Sequence, residues 1–343
     1  MKMSLKFLKE WFEGEKRDFP WRKEHTPYRV WVSEVMLQQT RASVVVPYFE
    51  RWMARFPTVE VLAKAPLDEV IKLWEGLGYY SRARSLHAGA QYLVEHHGGK
   101  LPDTAEELRQ VKGIGPYTVG AILSFAFHKK AAAIDGNVSR VISRLFGIEE
   151  ELETSLAKGK IRQKVEELLP DTEPWVIMEA LIELGAQVCT RNPGCSLCPM
   201  REECVGYLTG KADLLPRKKK RAKVTYLERT VPLICHDGAY LVQRHEGKEV
   251  MAGLYEFPYF SKEEPWEAFF PGLLTLANRF PDVKHTFTRY QVTLYPTLWE
   301  ASTKEEVAGF SWKTLAELLA LPFSSGHRQI LTHLKEAYAN TTH

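Results

Sequence analysis

No stretch of this chain is apolar for long enough to span a membrane. The segment from Met1 to Trp21 carries Lys6, Lys9 and Glu10 where a secretory leader would need an apolar run, so a cytoplasmic protein with no membrane partner is expected. Cysteine is scarce, five in 343 residues, which excludes a disulfide-stapled scaffold. Neither sign of charge dominates: 46 Lys and Arg face 43 Asp and Glu, a net charge of +3. Residues 1–213 hold 29 basic and 29 acidic groups, and residues 225–343 hold 11 and 14, so the excess sits in Arg217-Lys-Lys-Lys-Arg221 and Lys223. A basic surface for nucleic acid on the first 213 residues must therefore come from how charges are placed, not from their number. Length and a 45% hydrophobic content allow two cores.

What is present centres on Leu108 to Asn137. Leu108 and Val111 close one apolar-periodic segment, Gly113 and Gly115 interrupt it, and Pro116 opens a second helix, where its missing N–H costs nothing. The product is helix, tight hairpin, helix. Bare glycines admit a close backbone, and free N–H groups at a helix start attract a phosphate. An ordinary helix–helix turn has the same spacing. The carboxylate of Asp135, shortly after the second helix, favours an enzyme that grips a nucleic-acid backbone and works beside it. Asp135 also reads as a cap for a helix over Val138 to Phe146, and a cap would orient its carboxylate.

Glu34 stands out for its neighbours. In a helix opened by Thr26-Pro27, the residues three and four away are Val30, Trp31, Leu37 and Gln38. A carboxyl on such a face is desolvated, which raises its pKa and suits a general acid; a structural Glu–Arg pair is the alternative. Leu73 to Arg84 brings two glycines, two tyrosines and two arginines together, a loop from which Leu77 and Tyr79 can wedge into a base stack while arginines hold phosphates. A turn with core aromatics would also fit. Cys189, Cys195, Cys198 and Cys204 follow as C-x5-C-x2-C-x5-C. Four thiols this close in a cytoplasmic protein suggest a metal centre; zinc more often takes two C-x2-C pairs, and a [4Fe–4S] cluster accepts one compact loop. Beyond the basic linker at 214–224 the pattern alternates. Val231–Cys235 and Ala239–Gln243 read as a hairpin turning at Asp237-Gly238, Gln291–Leu298 as a strand, and 312–320 and 326–338 as helices. Residues 5–12 and 155–186 read as helical, and Cys235 as a core residue.

These stretches resemble the helix–hairpin–helix, Gly/Pro…Asp base-excision glycosylases, and over nearly the whole chain the adenine DNA glycosylases of the MutY type. The resemblance is carried by Leu108-x-x-Val-x-Gly-Ile-Gly-Pro-Tyr-Thr118, Asp135-Gly-Asn-Val-Ser-Arg-Val141, Trp31-Val-Ser-Glu34-Val-Met-Leu-Gln-Gln-Thr40, Phe19-Pro-Trp-Arg22 and Gly253-Leu-Tyr-Glu-Phe-Pro258. It implies an all-α helix–hairpin–helix glycosylase domain with an iron–sulfur loop over 1–213, a basic linker at 214–224, and an α+β Nudix-like domain over 225–343. The implied activity is removal of adenine paired with 8-oxoguanine or guanine in double-stranded DNA, by a monomer. Glu34 is implied as the acid and Asp135 as the stabiliser of the sugar cation. Tyr117 and Asn137 would orient them, and Tyr117 stands where bifunctional relatives carry a lysine. The four cysteines would hold a [4Fe–4S] cluster, although the family has one more residue in the first gap. Arg22, Gln39, Thr40, Leu77, Tyr79, Gly113, Gly115 and Thr118 would contact DNA. In the stretch His285-Thr-Phe287-Thr288-Arg289, matching a family Phe-Ser-His loop, Phe287, Thr288 and Arg289 would read the base opposite adenine. No Nudix hydrolase box follows Pro258, so a recognition domain without pyrophosphatase activity is expected. A glycosylase of the same fold acting on mispaired thymine or oxidised pyrimidines, and a non-catalytic damage binder, are the rival readings.

Overall fold

The computed structural model describes residues 2–217, 224–246, 251–287 and 289–341. The chain divides into two compact units, Met1–Lys64 with Ser85–Lys220 and Ala65–Arg84 with Arg221–His343. Residues 65–84, read from sequence as part of the first domain, group with the second unit in this division. No helix among the described residues is long and apolar enough to cross a membrane.

The described residues of the first unit form helices and no strands. Helix Lys2–Glu15 is longer at both ends than the amphipathic stretch suggested. Thr104 caps Ala105–Leu108, accepting from Glu107 N at 3.3 Å, and the hairpin then runs to Pro116–Ala121. Gly113 has a φ of +87°, which a side chain rarely adopts, and a Cβ there would lie 2.6 Å from that of Ser85. The helix after the hairpin continues into a single π turn, Phe127 N donating to Ile122 O at 3.2 Å, a distortion that often accompanies functional sites. Close approach without side chains sets the packing of this layer. A Cβ on Gly120 would fall 2.1 Å from Ala132 O, and one on Gly185 would fall 2.7 Å from Asn137 Cβ. Asp135 caps Gly136–Phe146, which ends at left-handed Gly147. The stretch read as continuous helix over 155–186 is two helices, Ser155–Leu168 and Pro174–Gln187, because prolines 170 and 174 interrupt the hydrogen-bond ladder.

The second unit holds eight strands among its described residues: β1 Thr225–His236, β2 Ala239–Arg244, β3 Tyr255–Glu256, β4 Phe260–Ser261, β5 Leu274–Arg279, β6 Val283–Phe287, β7 Tyr290–Ala301 and β8 Phe310–Thr314. The sheet runs β3-β2-β1-β7-β5, with β4 on β1, β6 on β7 and β8 on β2. The β1–β2 hairpin turns at Asp237-Gly238, as the alternation indicated. Strand β1 pairs with β7 in parallel from Thr225↔Tyr290 to Cys235↔Glu300, so both lie in the middle of the sheet. Alternation gives the sheet two cores. Val231, Leu233, Tyr240 and Val242 join Ile330, Leu331 and Leu334 of helix Ser325–Thr341 on one face. Ile234 and Leu241 join Phe270 on the other. The helix expected over 312–320 begins only at Leu315. Thr314 and Glu317 close a reciprocal capping box that fixes the start, and Trp312 and Lys313 belong to β8.

Candidate active site

The acid-bearing helix Pro27–Leu37 starts on Thr26, whose Oγ1 accepts from Arg29 N at 3.4 Å. Tyr28, Val30 to Val32, Val35 and Met36 are buried around Glu34, itself 7% exposed. Burial raises the Glu34 pKa to about 7; the Tyr117 hydroxyl opposes the rise and the Asp135 charge adds to it. Tyr117 Oη donates to Glu34 Oε2 at 2.5 Å, and burial beside Glu34 holds the phenol well above its usual pKa. Tyr117 is therefore a fixed donor over any working pH.

Asp135 is held from both sides. Oδ1 accepts from Val138 N at 2.7 Å and Oδ2 from Asn137 Nδ2 at 2.9 Å. Burial raises its pKa, and these two donors and the Arg140 charge pull the other way. Arg140 Nη2 donates to Asn137 Oδ1 at 2.9 Å and to Gly185 O at 2.6 Å, which fixes the Asn137 amide. Glu34, Tyr117, Asp135 and Asn137 all line one cavity of about 1030 Å³. The site pairs a carboxyl kept protonated near neutrality with a second one held by donors that favour its ionised form.

Three further residues of this cavity escaped the sequence reading: Arg17, Glu179 and Glu183. Glu183, with a fully buried side chain, accepts from Arg17 Nε at 2.5 Å and Arg22 Nη2 at 2.7 Å. Burial alone would raise its pKa, but the two guanidinium groups outweigh it and hold it below the usual value. Burial raises Glu179 against the pull of Arg22 and His25. Two glutamates four apart in the otherwise apolar helix Pro174–Gln187 were the available signal, the same one that singled out Glu34.

The residues expected at DNA are distributed unevenly. Gln39 is exposed with a φ of +58°, and Thr40 is half-buried; both line the cavity. Arg22 also lines it, committed to Glu183 and to Arg17 O at 2.9 Å. Gly113 is exposed and Gly115 half-buried at the hairpin. Thr118 is 0% exposed and accepts from Gln38 Nε2 at 3.4 Å, so the structure turns it into the protein interior and not toward a phosphate. In the second unit, Tyr79 is exposed at 47% but Leu77, the other expected wedge, is buried at 6% because the loop folds it under. Arg289 is exposed and donates to Tyr290 Oη at 3.1 Å. Thr288 and the side chain of Phe287 lie outside the described residues.

Cys189, Cys195, Cys198 and Cys204 line one small void together with Arg144. Arg144, 2% exposed, donates through Nη1 to Cys189 Sγ at 3.3 Å and to Thr190 O at 2.6 Å. Among the described residues no three His, Cys, Asp or Glu side chains converge as they would around a single ion. The shortened first gap closes on itself through Gly194 N to Val188 O at 2.9 Å, so all four cysteines still reach that void.

Residues 32–171 match the model of the HhH-GPD superfamily of base excision DNA repair proteins, and residues 230–333 match the NUDIX domain. A solved thermostable thymine-DNA glycosylase superposes on 61% of this chain and 96% of its own with a TM-score of 0.56 at 28% identity. The adenine DNA glycosylase of Rattus norvegicus is 44% identical over 57% of this chain. That of Homo sapiens is 32% identical over 94% of it. The chain spans 40% of the rat relative's length and 72% of the human one's. The chain thus carries a domain of the HhH-GPD superfamily followed by a Nudix-type domain. Within that class, the chain belongs to the adenine DNA glycosylase family.

Proposed function

We propose that this protein removes adenine mispaired with 8-oxoguanine or guanine from duplex DNA, without cutting the strand. The observation that carries the reading is Glu34, buried in a large cavity, raised to about 7 and hydrogen-bonded to Tyr117, with Asp135 lining the same cavity. A base inside a helix cannot be reached, so the adenine is extruded into the cavity. Glu34 gives its proton to a ring nitrogen of adenine. The bond from the sugar carbon to adenine then breaks, its electron pair leaving with the base. Asp135, ionised, balances the positive charge left on the sugar, and Glu34, now a carboxylate, accepts a proton from the water that adds there. Tyr117 offers no amine, so no Schiff base forms and an abasic site remains.

The hairpin glycines and the basic residues near 217–223 would hold phosphates, and the β6–β7 turn with Thr288 and Arg289 would read the opposite base. Cys189, Cys195, Cys198 and Cys204 would hold a [4Fe–4S] cluster, which when bound supplies structural closure of its loop. Mispaired thymine is the second reading, favoured by the likeness to the thymine-DNA glycosylase. A buried acid and the Nudix-type unit support adenine. Duplexes with adenine opposite 8-oxoguanine, adenine opposite guanine, and thymine opposite guanine, treated with the protein and then with alkali, decide the matter. Cleavage at adenine in the first two is expected; cleavage only at thymine, or none, overturns the proposal.

A further inference from the structure

The loop between helix Leu67–Trp74 and helix Ser81–His97 has an unusual backbone. Gly76 and Gly78 have φ of +100° and +71°, and Tyr79, which has a side chain, has +50°. Such a conformation persists only when its surroundings hold it. Some of the holding is local. Trp74 Nε1 donates to Gly78 O at 3.0 Å, and Arg82 donates to Leu77 O at 3.2 Å and Gly78 O at 3.1 Å.

The rest comes from a segment almost 250 residues later in sequence and in the same compact unit. Glu75 Oε1 accepts from Phe323 N at 2.8 Å and Arg328 Nε at 2.8 Å. Its other oxygen accepts from Lys72 Nζ at 2.9 Å, and the same ammonium reaches Leu319 O and Leu321 O. Tyr80 Oη accepts from Gly76 N and donates to Phe323 O, both at 3.3 Å. Glu75 and Tyr80 thus grip the backbone N–H and C=O of Phe323, one from each side of the strained turn. Phe323 is 0% exposed and bridges to Tyr255 of β3, which ties the grip to the sheet.

We propose that Glu75, with Arg328, is a positioning residue that holds the Gly76–Tyr80 turn in the shape that presents Tyr79 to DNA. Base extrusion then depends on an ion pair that does not line the cavity. The inference rests on the reading of this loop as a groove wedge in an adenine glycosylase. A small displacement far from the chemistry can cost on the order of 100-fold in rate.

The test uses the full chain with Glu75→Gln, Arg328→Ala and the double variant. Gln keeps an acceptor for Phe323 N and loses the charge that faces Arg328. The readouts are fluorescence of 2-aminopurine at the target position opposite 8-oxoguanine, single-turnover adenine release, and the thermal midpoint. Expected are a midpoint within a few degrees of the parent, at least about a tenfold fall in release with a matching loss of extrusion signal, and a double variant no worse than the poorer single, as coupled residues give. A merely structural pair would lower the midpoint and leave extrusion intact. Parental extrusion and release in the folded variants overturns the inference. Failure of the unsubstituted protein to release adenine overturns the proposed function itself.

Discussion

Tyr117 donates its hydroxyl to Glu34 across 83 residues of sequence, at 2.5 Å, inside a cavity that also holds Asp135. The bond works against burial: it favours the carboxylate, and burial favours the acid. Tyr117→Phe removes the opposing influence. The Glu34 pKa should rise and the alkaline limb of the rate profile should move to higher pH. The rate at neutrality should fall about tenfold as the acid loses its orientation. A profile unmoved by the substitution would show that the phenol does not touch the working acid.

The pH dependence of the parent follows from the same two carboxyls. Glu34 must be protonated, so activity is lost as pH rises through about 7. Asp135 must be ionised, and burial raises its pKa, so activity is lost as pH falls through that raised value. Single-turnover rates should trace a bell whose alkaline limb Glu34 governs. A rate still climbing above pH 8 would contradict the assignment.

Glu34→Gln should bind duplex DNA and release no adenine. It should also alter stability with a defined sign. The folded state holds a proton on Glu34 up to about pH 7 and the unfolded chain only to about 4.5, so this residue's contribution falls as pH rises between them. The variant should therefore gain on the parent across that window, by at most about 3 kcal/mol. Paired urea titrations at pH 5 and pH 8 measure the gain; equal differences at both would mean that Glu34 is not buried as an acid.

Much of this site was legible because its chemistry leans on near neighbours. Glu34 is marked by residues three and four away on its helix, and Asp135 by the helix that follows it. Arg17 and Arg22 reach Glu183 across 166 and 161 residues, a pairing without local trace. Leu77 and Tyr79 look alike in sequence as wedges. Only the positive φ angles of the turn decide that Tyr79 faces out and Leu77 in. The attachment of residues 65–84 to the second unit likewise depends on Glu75 meeting Phe323 and Arg328, partners far along the chain.

Asp135→Asn should fold and be inactive, since an amide keeps the cap but cannot balance a sugar cation. The loss of stability should stay near or below about 1 kcal/mol, because Asn caps helices nearly as well as Asp. Adenine release within tenfold of the parent would remove Asp135 from the reaction.

The purified protein should be brown and carry about four iron atoms per chain. Cys198→Ser should lose colour and iron together. Stoichiometric zinc in a colourless protein would show that the shortened gap selects another metal.

Gly120 has a consequence for how contact with DNA is converted into chemistry. Its helix begins at the glycine hairpin, carries Tyr117 to Glu34, and presses a bare Cα against the main chain at Ala132, three residues before Asp135. One helix therefore touches the glycine hairpin, the Tyr117 donor and the approach to the second carboxylate. If the hairpin holds phosphate as proposed, a shift of it along a DNA strand would bear on both acids through these contacts. Registration of the duplex and alignment of the two carboxyls would then be one mechanical variable, and a methyl group at position 120, 2.1 Å from Ala132 O, would force the helix and the approach to Asp135 apart.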